Sequence, residues 1–365
     1  MSPTPTLSGL RRAFEGRRVL LTGHTGFKGA WTALWLNRLG AEVVGVALAP
    51  DDQRGVFSAC DVASVVDHRI SDIRDPKGLA NALADLDADL VIHMAAQALV
   101  RRSYEEPLDT YLVNVIGTAA VLDVARRMKS LKGVLVVTSD KCYENREWIW
   151  GYRENDPMGG ADPYSSSKGC AELLVSAYRR SYFNVRSGPL LASARAGNVF
   201  GGGDWSADRL VPDIVKAGLA GGEVVIRNPN SVRPWQHVLE PVSGYLMLCA
   251  ALLRGDEATA SGWNFGPDST GVVDVRTLAS IIAERWGAGA PRFAFGDGSG
   301  PHEAGVLRLD STKAKTVLGW APQLDVSKAV GLTIDWHKAQ RAGEPMRAFT
   351  ERQIETYESL AFHAG

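Results

Sequence analysis

The sequence predicts an α/β protein built on a doubly wound parallel sheet. Short apolar segments typical of buried strands occur at 17–23 (RRVLLTG), 41–48 (AEVVGVAL), 87–97 (DADLVIHMAAQ) and 133–143 (GVLVVTSDKCY). Helix-length segments separate them, and strands alternating with helices are typical of a parallel sheet covered on both faces. At 365 residues, the chain is long enough for one large domain or two ordinary ones.

A glycine-rich turn follows the first predicted strand. Gly23, Gly26 and Gly29 have GxxGxxG spacing, and the apolar-periodic helix they open runs to Leu39, where Gly40 is a fitting stop. Glycines let the backbone approach a pyrophosphate, and the free N–H groups of a helix N-terminus meet its charge. The pattern predicts a Rossmann-type dinucleotide site; the alternative is a tight strand–helix turn without a ligand.

One part of the dinucleotide fingerprint is missing. The second strand ends in VALAPDD, with no acid at the position expected to bind the ribose. Asp51 and Asp52 come slightly late, and no arginine stands at 48–50, although Arg54 is close. We predict NAD rather than NADP as the cofactor.

Tyr164 and Lys168 lie four residues apart in a predicted helix that runs to about Ser181, so their side chains share one face. An ammonium beside a phenol favours the phenolate. Lowering the pKa of a tyrosine from ~10 to near neutrality requires roughly 4 kcal/mol. Such pairs are also common on solvated helix faces. The pair gains weight from the glycine turn and from the polar run Ser139–Lys141, which follows a strand where open parallel sheets bind ligands.

The regular alternation breaks past Ser181. Glycine-rich loops and a polar segment carrying Arg227, Arg233 and His237 predict a smaller C-terminal lobe that binds a phosphorylated partner, because arginine suits phosphate. Each arginine alone could equally be surface charge. We expect a Rossmann domain at 17–190 with a returning segment at about 234–262. The substrate lobe is expected at 191–233 and 263–350.

The composition limits the classes of binding partner that we expect. A net charge of −1 predicts neither nucleic acid nor membrane binding, and we find no apolar run of the ~18–20 residues that span a bilayer. Residues 1–16 resemble a loose lead-in without a secretory signal. The four cysteines show no metal-ligand spacing, so we expect free thiols, no metal and a cytoplasmic protein. His93 is expected to be a satisfied core residue, and Asn114 either braces the site or bonds a neighbouring loop.

From Arg17 to Pro322 the chain resembles the extended short-chain dehydrogenase/reductase superfamily, through TGHTGFKG and the YSSSK pair. Within it, TSDKCYEN, AGNVFGGGDW, RNPNSVRPWQHVLEP and HEAGVLRLDSTKAKTVLGW resemble the nucleotide-sugar 4,6-dehydratases. Lys141 stands where the dTDP- and GDP-sugar branches have glutamate, which is the mark of the CDP-sugar branch.

The resemblance implies a lyase that converts CDP-glucose to CDP-4-keto-6-deoxyglucose with tightly held NAD, in deoxysugar biosynthesis of the O-antigen type. Tyr164 would take the proton of the 4-hydroxyl while hydride leaves C4, Lys168 would lower the pKa of Tyr164, and Ser139 would hydrogen-bond the 4-oxygen. Asp140 would protonate the 6-hydroxyl as it leaves. Lys141 would act as the C5 base, directly or through water, or stabilise the enolate; alternatively it only pairs with Asp140.

The resemblance also implies two sets of binding residues. The cofactor set is Gly23, Thr25, Gly26, Phe27, Gly29, Asp72, Ala95, Tyr164 and Lys168. The substrate set is Asn198, Arg209, Arg227, Arg233 and His237. Helices like 107–126 and 162–181 would pair two subunits through a four-helix bundle, which implies a homodimer or homotetramer with apolar exposed faces on both helices.

Two rival functions remain. A nucleotide-sugar 4-epimerase needs the tyrosine, the lysine and NAD, but no acid to expel a 6-hydroxyl, so Asp140 speaks against it. A non-catalytic dinucleotide sensor would not need Tyr164 and Lys168 together.

Overall fold

The computed structural model describes residues 6–184, 188–296 and 305–362. Within these ranges the chain forms twelve strands: β1 (Arg18–Thr22), β2 (Glu42–Ala47), β3 (Asp67–Ile70), β4 (Leu90–His93), β5 (Gly133–Val137), β6 (Leu190–Ala196), β7 (Asn198–Phe200), β8 (Glu223–Ile226), β9 (Val232–His237), β10 (Gly262–Phe265), β11 (Val272–Asp274) and β12 (Arg292–Phe295). Seven of them form one parallel sheet in the order β10–β6–β5–β4–β1–β2–β3. The chain winds outward from β1 in both directions, which confirms the predicted doubly wound sheet.

Thirteen α-helices accompany these strands in the same ranges: α1 (Leu7–Phe14), α2 (Phe27–Arg38), α3 (Val56–Ala59), α4 (Pro76–Ala82), α5 (Val100–Glu105), α6 (Pro107–Tyr111), α7 (Thr118–Ala125), α8 (Pro163–Ser181), α9 (Leu210–Ala220), α10 (Leu239–Leu253), α11 (Val275–Trp286), α12 (Val326–Ala342) and α13 (Met346–Ala361). Short 3₁₀ turns lie at Val62–Ser64, Asp140–Cys142, Glu257–Thr259 and Ser269–Gly271, and π turns at Leu112–Gly117 and Ala314–Leu318.

Both faces of the large sheet are covered by apolar side chains. Along β1, Val19 and Leu21 join the cluster that contains Trp31 of α2 and Tyr245 of α10, whereas Leu20 joins the cluster on the other face. Successive strand residues point to opposite faces. A strand buried on both faces reads as a continuous apolar run, and for this reason the strands were visible in the sequence.

The second half of the chain adds two smaller sheets, β11–β9–β7 and β12–β8. A separate apolar cluster lies among them and α9, α11 and α12, and it includes Ile214, Trp235 and Leu278. Strand β9 runs parallel to β7, with Asn198 paired to Trp235. The last quoted sequence motif starts at His302, so its first three residues lie outside the described ranges.

The expectation of a loose lead-in over residues 1–16 is wrong for its described part. Helix α1 begins after Thr6, whose hydroxyl accepts the Gly9 N–H at 3.1 Å. Leu10 and Phe14, four residues apart, share one face and are buried. Two apolar residues in a polar segment were too weak a signal to reveal this docked helix.

The helical segment at 107–126 is confirmed, with α6 and α7 joined by a π turn. The expectation that no segment is apolar enough to span a bilayer is wrong here. Pro107–Ala125 has a mean hydropathy of 1.4 over its best window and passes by length and composition. Of that window, 44% is buried within the protein, and the helix packs against α8. Length and composition do not distinguish such a packed helix from a spanning one.

Candidate active site

Helix α8 carries Tyr164 and Lys168 on one buried face. The Asp162 carboxylate caps the helix by accepting the Ser165 N–H at 2.9 Å. Tyr164 is 8% exposed and Lys168 is 5% exposed. The Tyr164 N–H donates to the Ser103 hydroxyl at 3.1 Å, which ties the first turn of α8 to α5.

The residues after β5 form a compact polar turn. The Ser139 hydroxyl donates to Asp140 Oδ1 at 3.0 Å and accepts the Lys141 N–H at 3.2 Å. Asp140 is 2% exposed, and its Oδ2 has no hydrogen-bond partner among the described residues. Burial raises the pKa of Asp140, whereas Lys141, the Ser139 hydroxyl and Arg233 oppose the rise. A buried carboxyl group with a raised pKa and a free oxygen is suited to donating a proton.

The pKa values of Tyr164 and Lys168 differ from the expected picture. Burial raises the pKa of Tyr164 to about 12, and the groups that oppose this rise most are the Ser139 hydroxyl, which hydrogen-bonds the phenol, and the Arg209 guanidinium. Burial lowers the pKa of Lys168 to about 8, against the charge of Glu172. In the protein without its cofactor, desolvation of the phenolate therefore outweighs the nearby positive charge, and the lowering of the Tyr164 pKa beside a cationic cofactor stays a prediction.

The glycine turn has no room for side chains. Gly23 has a φ of +77°, and a Cβ there would lie 2.6 Å from the Ala95 nitrogen. A Cβ on Gly29 would lie 2.1 Å from the Gly23 oxygen. Gly26 is the N-cap residue of α2. It has no side chain to cap the helix, so the first N–H groups of α2 are available to an anion. The turn therefore fits the pyrophosphate of a dinucleotide.

Two other predicted cofactor residues, Thr25 and Phe27, belong to this turn and the start of α2, and a third, Asp72, lies beyond β3. The Thr25 hydroxyl donates to the Leu48 oxygen at 2.9 Å, which ties the turn to the end of β2. Phe27 is the first residue of α2. Asp72 follows β3, which ends at Ile70, and its carboxylate pairs with Arg74 at 2.6 Å. The Arg74 guanidinium lowers the pKa of Asp72, so this carboxylate is charged.

Arg54, the arginine nearest the expected ribose position, is already engaged. It pairs with Asp52 at 2.6 Å, and its guanidinium lies 4.3 Å from the ring centroid of Trp205. An arginine held this way is a poor partner for a 2′-phosphate, which agrees with the preference for NAD over NADP.

Of the predicted substrate residues, the structure brings Arg209 and Arg233 to the catalytic turn. The charge of Arg209 acts on Tyr164, and the charge of Arg233 acts on Asp140. Arg209 also pairs with Asp204 at 3.7 Å. Arg233 is 4% exposed and donates to the backbone oxygens at 232 and 305, at 3.0 and 3.1 Å.

The other three substrate candidates differ in their surroundings. Asn198 begins β7 and is half-buried. His237 ends β9 fully buried: its Nδ1 accepts the Leu239 N–H at 3.3 Å, and its Nε2 has no hydrogen-bond partner in the described ranges. Burial lowers the pKa of His237 to about 3, so the ring is neutral. Arg227 pairs with Asp208 at 3.3 Å and makes no described contact with the catalytic turn.

Two residues of uncertain role now have partners. His93 is a satisfied core residue: its Nδ1 bonds Thr22 Oγ1 at 2.7 Å and its Nε2 bonds Thr118 Oγ1 at 3.0 Å. Asn114 does both things expected of it. Its amide bonds the Gln97 backbone at 2.9 and 3.0 Å and donates to Ser167 of α8 at 2.8 Å, so it joins the loop after β4 to the catalytic helix.

Sequence reasoning missed Lys28, Tyr245 and the pair Glu172–Arg195. Lys28 lies in the first turn of α2, and Lys168, Arg209, Asp140 and Asp204 all act on its charge. Burial is the largest cause that lowers its pKa, to about 7. Two signals in the sequence could have indicated these residues. Lys28 is a charged residue in an otherwise apolar first turn of α2, and Tyr245 is a polar residue in the apolar helix α10.

One cavity of about 530 Å³, lined by Arg18, Glu42 and Asp67 among others, lies at the edge where β1 and β2 begin. It contains none of the predicted site residues. Within the described ranges, no group of three or more His, Cys, Asp or Glu side chains could hold a metal ion.

Comparisons with known proteins agree with this geometry. Residues 20–333 match the family model described as GDP-mannose 4,6 dehydratase. The chain is 47% identical over 350 residues to a CDP-glucose 4,6-dehydratase of Salmonella typhimurium, covering 95% of this chain and 97% of that protein.

Solved structures give the same fold. An epimerase of Methanothermobacter thermautotrophicus superposes with a TM-score of 0.78 at 21% identity, covering 92% of this chain and 96% of that one. The UDP-glucose 4-epimerase of Thermus thermophilus, solved in complex with NAD, superposes with a TM-score of 0.75 at 25% identity, covering 88% and 99%. With its parallel sheet, glycine turn and Tyr164–Lys168 pair, the chain belongs to the GDP-mannose 4,6-dehydratase family of the extended short-chain dehydrogenases/reductases.

Proposed function

We propose that this protein is an NAD-dependent CDP-glucose 4,6-dehydratase, which removes water from CDP-glucose to form CDP-4-keto-6-deoxyglucose. The observation that carries the proposal is the 47% identity, over nearly the whole of both chains, to a relative of that name. The polar turn Ser139–Lys141 beside Tyr164 supports it, because a dehydratase needs an acid for the leaving hydroxyl as well as the tyrosine pair.

The redox chemistry, in which hydride leaves C4 and later returns at C6, would be supplied by bound NAD. Tyr164 takes the proton of the 4-hydroxyl. The Ser139 hydroxyl and the Arg209 guanidinium are the groups of this chain that most favour its phenolate. Ser139 also orients the 4-oxygen, and Lys168 holds a positive charge one turn along α8. The N-terminus of α2, with Gly23, Thr25, Gly26, Phe27 and Gly29 around it, would hold the cofactor pyrophosphate, and Asp72 and Ala95 would contact the rest of the cofactor.

Once C4 carries a ketone, the C5 proton becomes acidic and the C6–oxygen bond can break. Asp140 gives its proton to the departing 6-oxygen. Its raised pKa keeps that proton available, and its Oδ2 is free to reach the substrate. Lys141 takes the C5 proton or stabilises the enolate. A Lys141→Met variant that still exchanges the C5 proton with solvent at the normal rate would exclude the base role.

Asn198 and Arg233 would hold the diphosphate of the nucleotide, with Arg209, Arg227 and His237 completing the substrate site. The division into a cofactor domain at 17–190 with 234–262 and a substrate lobe at 191–233 and 263–350 remains part of the proposal. Strands β6 and β10 begin at the proposed bounds and continue past 190 and 262, although both strands belong to the large sheet.

We propose that two subunits pair through the helices around α6, α7 and α8. Leu108, Leu112 and Ile116, each four residues from the next, are 79%, 48% and 50% exposed, and Leu173 of α8 is 62% exposed. Side chains at this spacing form one apolar stripe. A second copy of the same stripe would cover it by two-fold symmetry. We propose a cytoplasmic location as well, since all four cysteines are free thiols.

The test is to incubate the purified protein with CDP-, dTDP-, GDP- and UDP-glucose and to measure product masses. We expect loss of the mass of one water from CDP-glucose only. An unchanged mass with altered C4 stereochemistry would identify a 4-epimerase, and NAD binding without turnover of any of the four would indicate a sensor. A Tyr164→Phe variant should lose the reaction while still binding CDP-glucose.

A further inference from the structure

Tyr245 has a hydroxyl group without a partner. It lies on α10 with 0% exposure, and its ring is held edge-on against Phe265, with 5.6 Å between the centroids. Its hydroxyl makes no hydrogen bond with any described residue. A buried hydroxyl left unpaired costs about 1–3 kcal/mol, a cost that phenylalanine at the same place would not incur.

The other fully buried tyrosines do not share this feature. Tyr143 donates to Asn264 at 2.7 Å, and the Tyr152 hydroxyl accepts the backbone N–H at position 146 at 2.6 Å. Tyr357 donates to Glu240 at 2.6 Å. In this protein a buried phenol normally comes with a partner. The exception therefore suggests that the partner of Tyr245 is a bound molecule.

The position of Tyr245 indicates which molecule. Burial is the largest cause that raises the pKa of its hydroxyl, and the ionisable groups that add to the rise are Asp140 and Tyr164. The Lys28 ammonium lies 5.8 Å from the centroid of its ring and is itself within reach of the charge of Asp140. Asp140 Oδ2 is likewise a buried polar atom without a hydrogen-bond partner among the described residues. The unpaired hydroxyl of Tyr245 thus lies near the unpaired carboxyl oxygen of Asp140, the proposed proton donor of the reaction.

We infer that the Tyr245 hydroxyl is a further catalytic group, which together with Asp140 Oδ2 binds the 6-hydroxyl of the hexose as it departs. This inference rests on the proposed dehydration. In that step the C6–O bond breaks and its electron pair stays on oxygen, which takes the proton of Asp140 and leaves as water. The C5 proton goes to the base, and its bonding electrons form the C5–C6 double bond. Tyr245 donates a hydrogen bond to the departing oxygen and transfers no proton, while Lys28 stabilises the Asp140 carboxylate that remains.

The test is the Tyr245→Phe variant of the full chain, in single turnovers with CDP-glucose. We expect elimination to slow by about tenfold to hundredfold, the effect of removing one hydrogen-bond donor from a developing negative charge. Reduced nicotinamide should then accumulate, because oxidation at C4 still proceeds. With CDP-6-deoxyglucose, which has no 6-hydroxyl to lose, the variant should reduce its cofactor at the wild-type rate. Lys28→Met should slow the same step.

A binding measurement gives an independent readout. In the inactive Tyr164→Phe background, adding Tyr245→Phe should weaken CDP-glucose severalfold and leave CDP-6-deoxyglucose unchanged. Tyr357→Phe is the matched control: it loses a hydroxyl that is paired with Glu240 and has no described contact with the proposed catalytic residues, so its melting temperature should fall while its turnover stays normal. Tyr245→Phe should show the opposite pattern, since its hydroxyl has no partner to lose.

Distinct results would overturn the inference or the proposed function. If Tyr245→Phe turns over CDP-glucose at the wild-type rate, or slows C4 oxidation of CDP-6-deoxyglucose as much as it slows elimination, Tyr245 does not bind the leaving group. If the wild-type protein leaves CDP-glucose unchanged, the dehydratase assignment fails instead.

Discussion

The buried ion pair between Glu172 and Arg195 offers the sharpest test of the structure. The Glu172 carboxylate accepts two hydrogen bonds from Arg195, at 2.9 and 2.7 Å, one from Thr138 at 2.5 Å and one from Ser193 at 2.8 Å. The two charged side chains are 4% and 5% exposed. Glu172 lies on α8 itself, one turn after Lys168, and Arg195 lies on β6.

Glu172→Gln removes the negative charge and replaces one acceptor oxygen with an NH₂ group that faces donors. Removing one partner of a buried pair costs about 3–5 kcal/mol, because the other charge stays buried alone. At about 2–4 °C per kcal/mol, the melting temperature should fall by roughly 6–20 °C. Replacing Glu172 by Leu and Arg195 by Met together should recover most of the loss, since no uncompensated charge remains.

Calorimetry or denaturant unfolding measures this loss, and Glu42→Gln is the matched control. Glu42 pairs with Arg18 at 3.4 Å, but the two side chains are 63% and 47% exposed. An exposed pair of this kind contributes at most about 1 kcal/mol. Equal losses from Glu172→Gln and Glu42→Gln would refute the buried network.

The same variant changes the catalytic pH profile. The charge of Glu172 raises the pKa of Lys168, which burial holds at about 8. Without that charge the pKa of Lys168 falls further, so Lys168 loses its proton at a lower pH. The alkaline limb of kcat/KM should therefore move to lower pH in Glu172→Gln. An unmoved limb would mean that Lys168 does not act as the cation in this reaction.

Three further perturbations have definite expected outcomes. Gly29→Ala should abolish NAD binding in calorimetric titration because its Cβ would lie 2.1 Å from the Gly23 oxygen, whereas Gly331→Ala, in a helix with open space around it, should leave binding intact and raise stability by up to about 1 kcal/mol. Burial raises the pKa of Glu240 to about 7. Its contribution to stability, roughly 3 kcal/mol, is full below pH ~4.5 and is lost as pH rises through 7, so Glu240→Gln should flatten the fall in melting temperature over that window. Leu112→Glu should dissociate the proposed dimer in sedimentation experiments, and a wild-type protein already monomeric at high concentration would contradict that surface.

Much of the fold could be predicted because its signals are local. The strands of the large sheet are buried on both faces and so appear as apolar runs. Gly23 and Gly29 mark a turn where a Cβ would collide with backbone, as the structure shows. Tyr164 and Lys168 share a face because they are four residues apart in a helix.

The prediction failed where the outcome depends on packing. Helix α1 was missed because it is stabilised by the packing of Leu10 and Phe14 against the core, and that contact is not visible in the local sequence. The helix at 107–125 was predicted, but its apolar character was underestimated, because Asp109 and Asp123 interrupt the apolar sequence near its two ends. The rise in the pKa of Tyr164 in the protein alone could not be read from the sequence either, since burial is set by neighbours that are distant in the chain.

Sequence pattern was sufficient for the sheet, the glycine turn, the placement of Tyr164 and Lys168 on one helix face and the family, since each depends on residues a few positions apart. The tertiary structure decided which polar atoms are satisfied. It joined Glu172 to Arg195, engaged Arg54 with Asp52, and left Tyr245 and Asp140 with free atoms near the same site. Such pairings require side chains from separate elements to meet in a dry interior, where an unpaired polar group is costly, and no local pattern encodes that meeting.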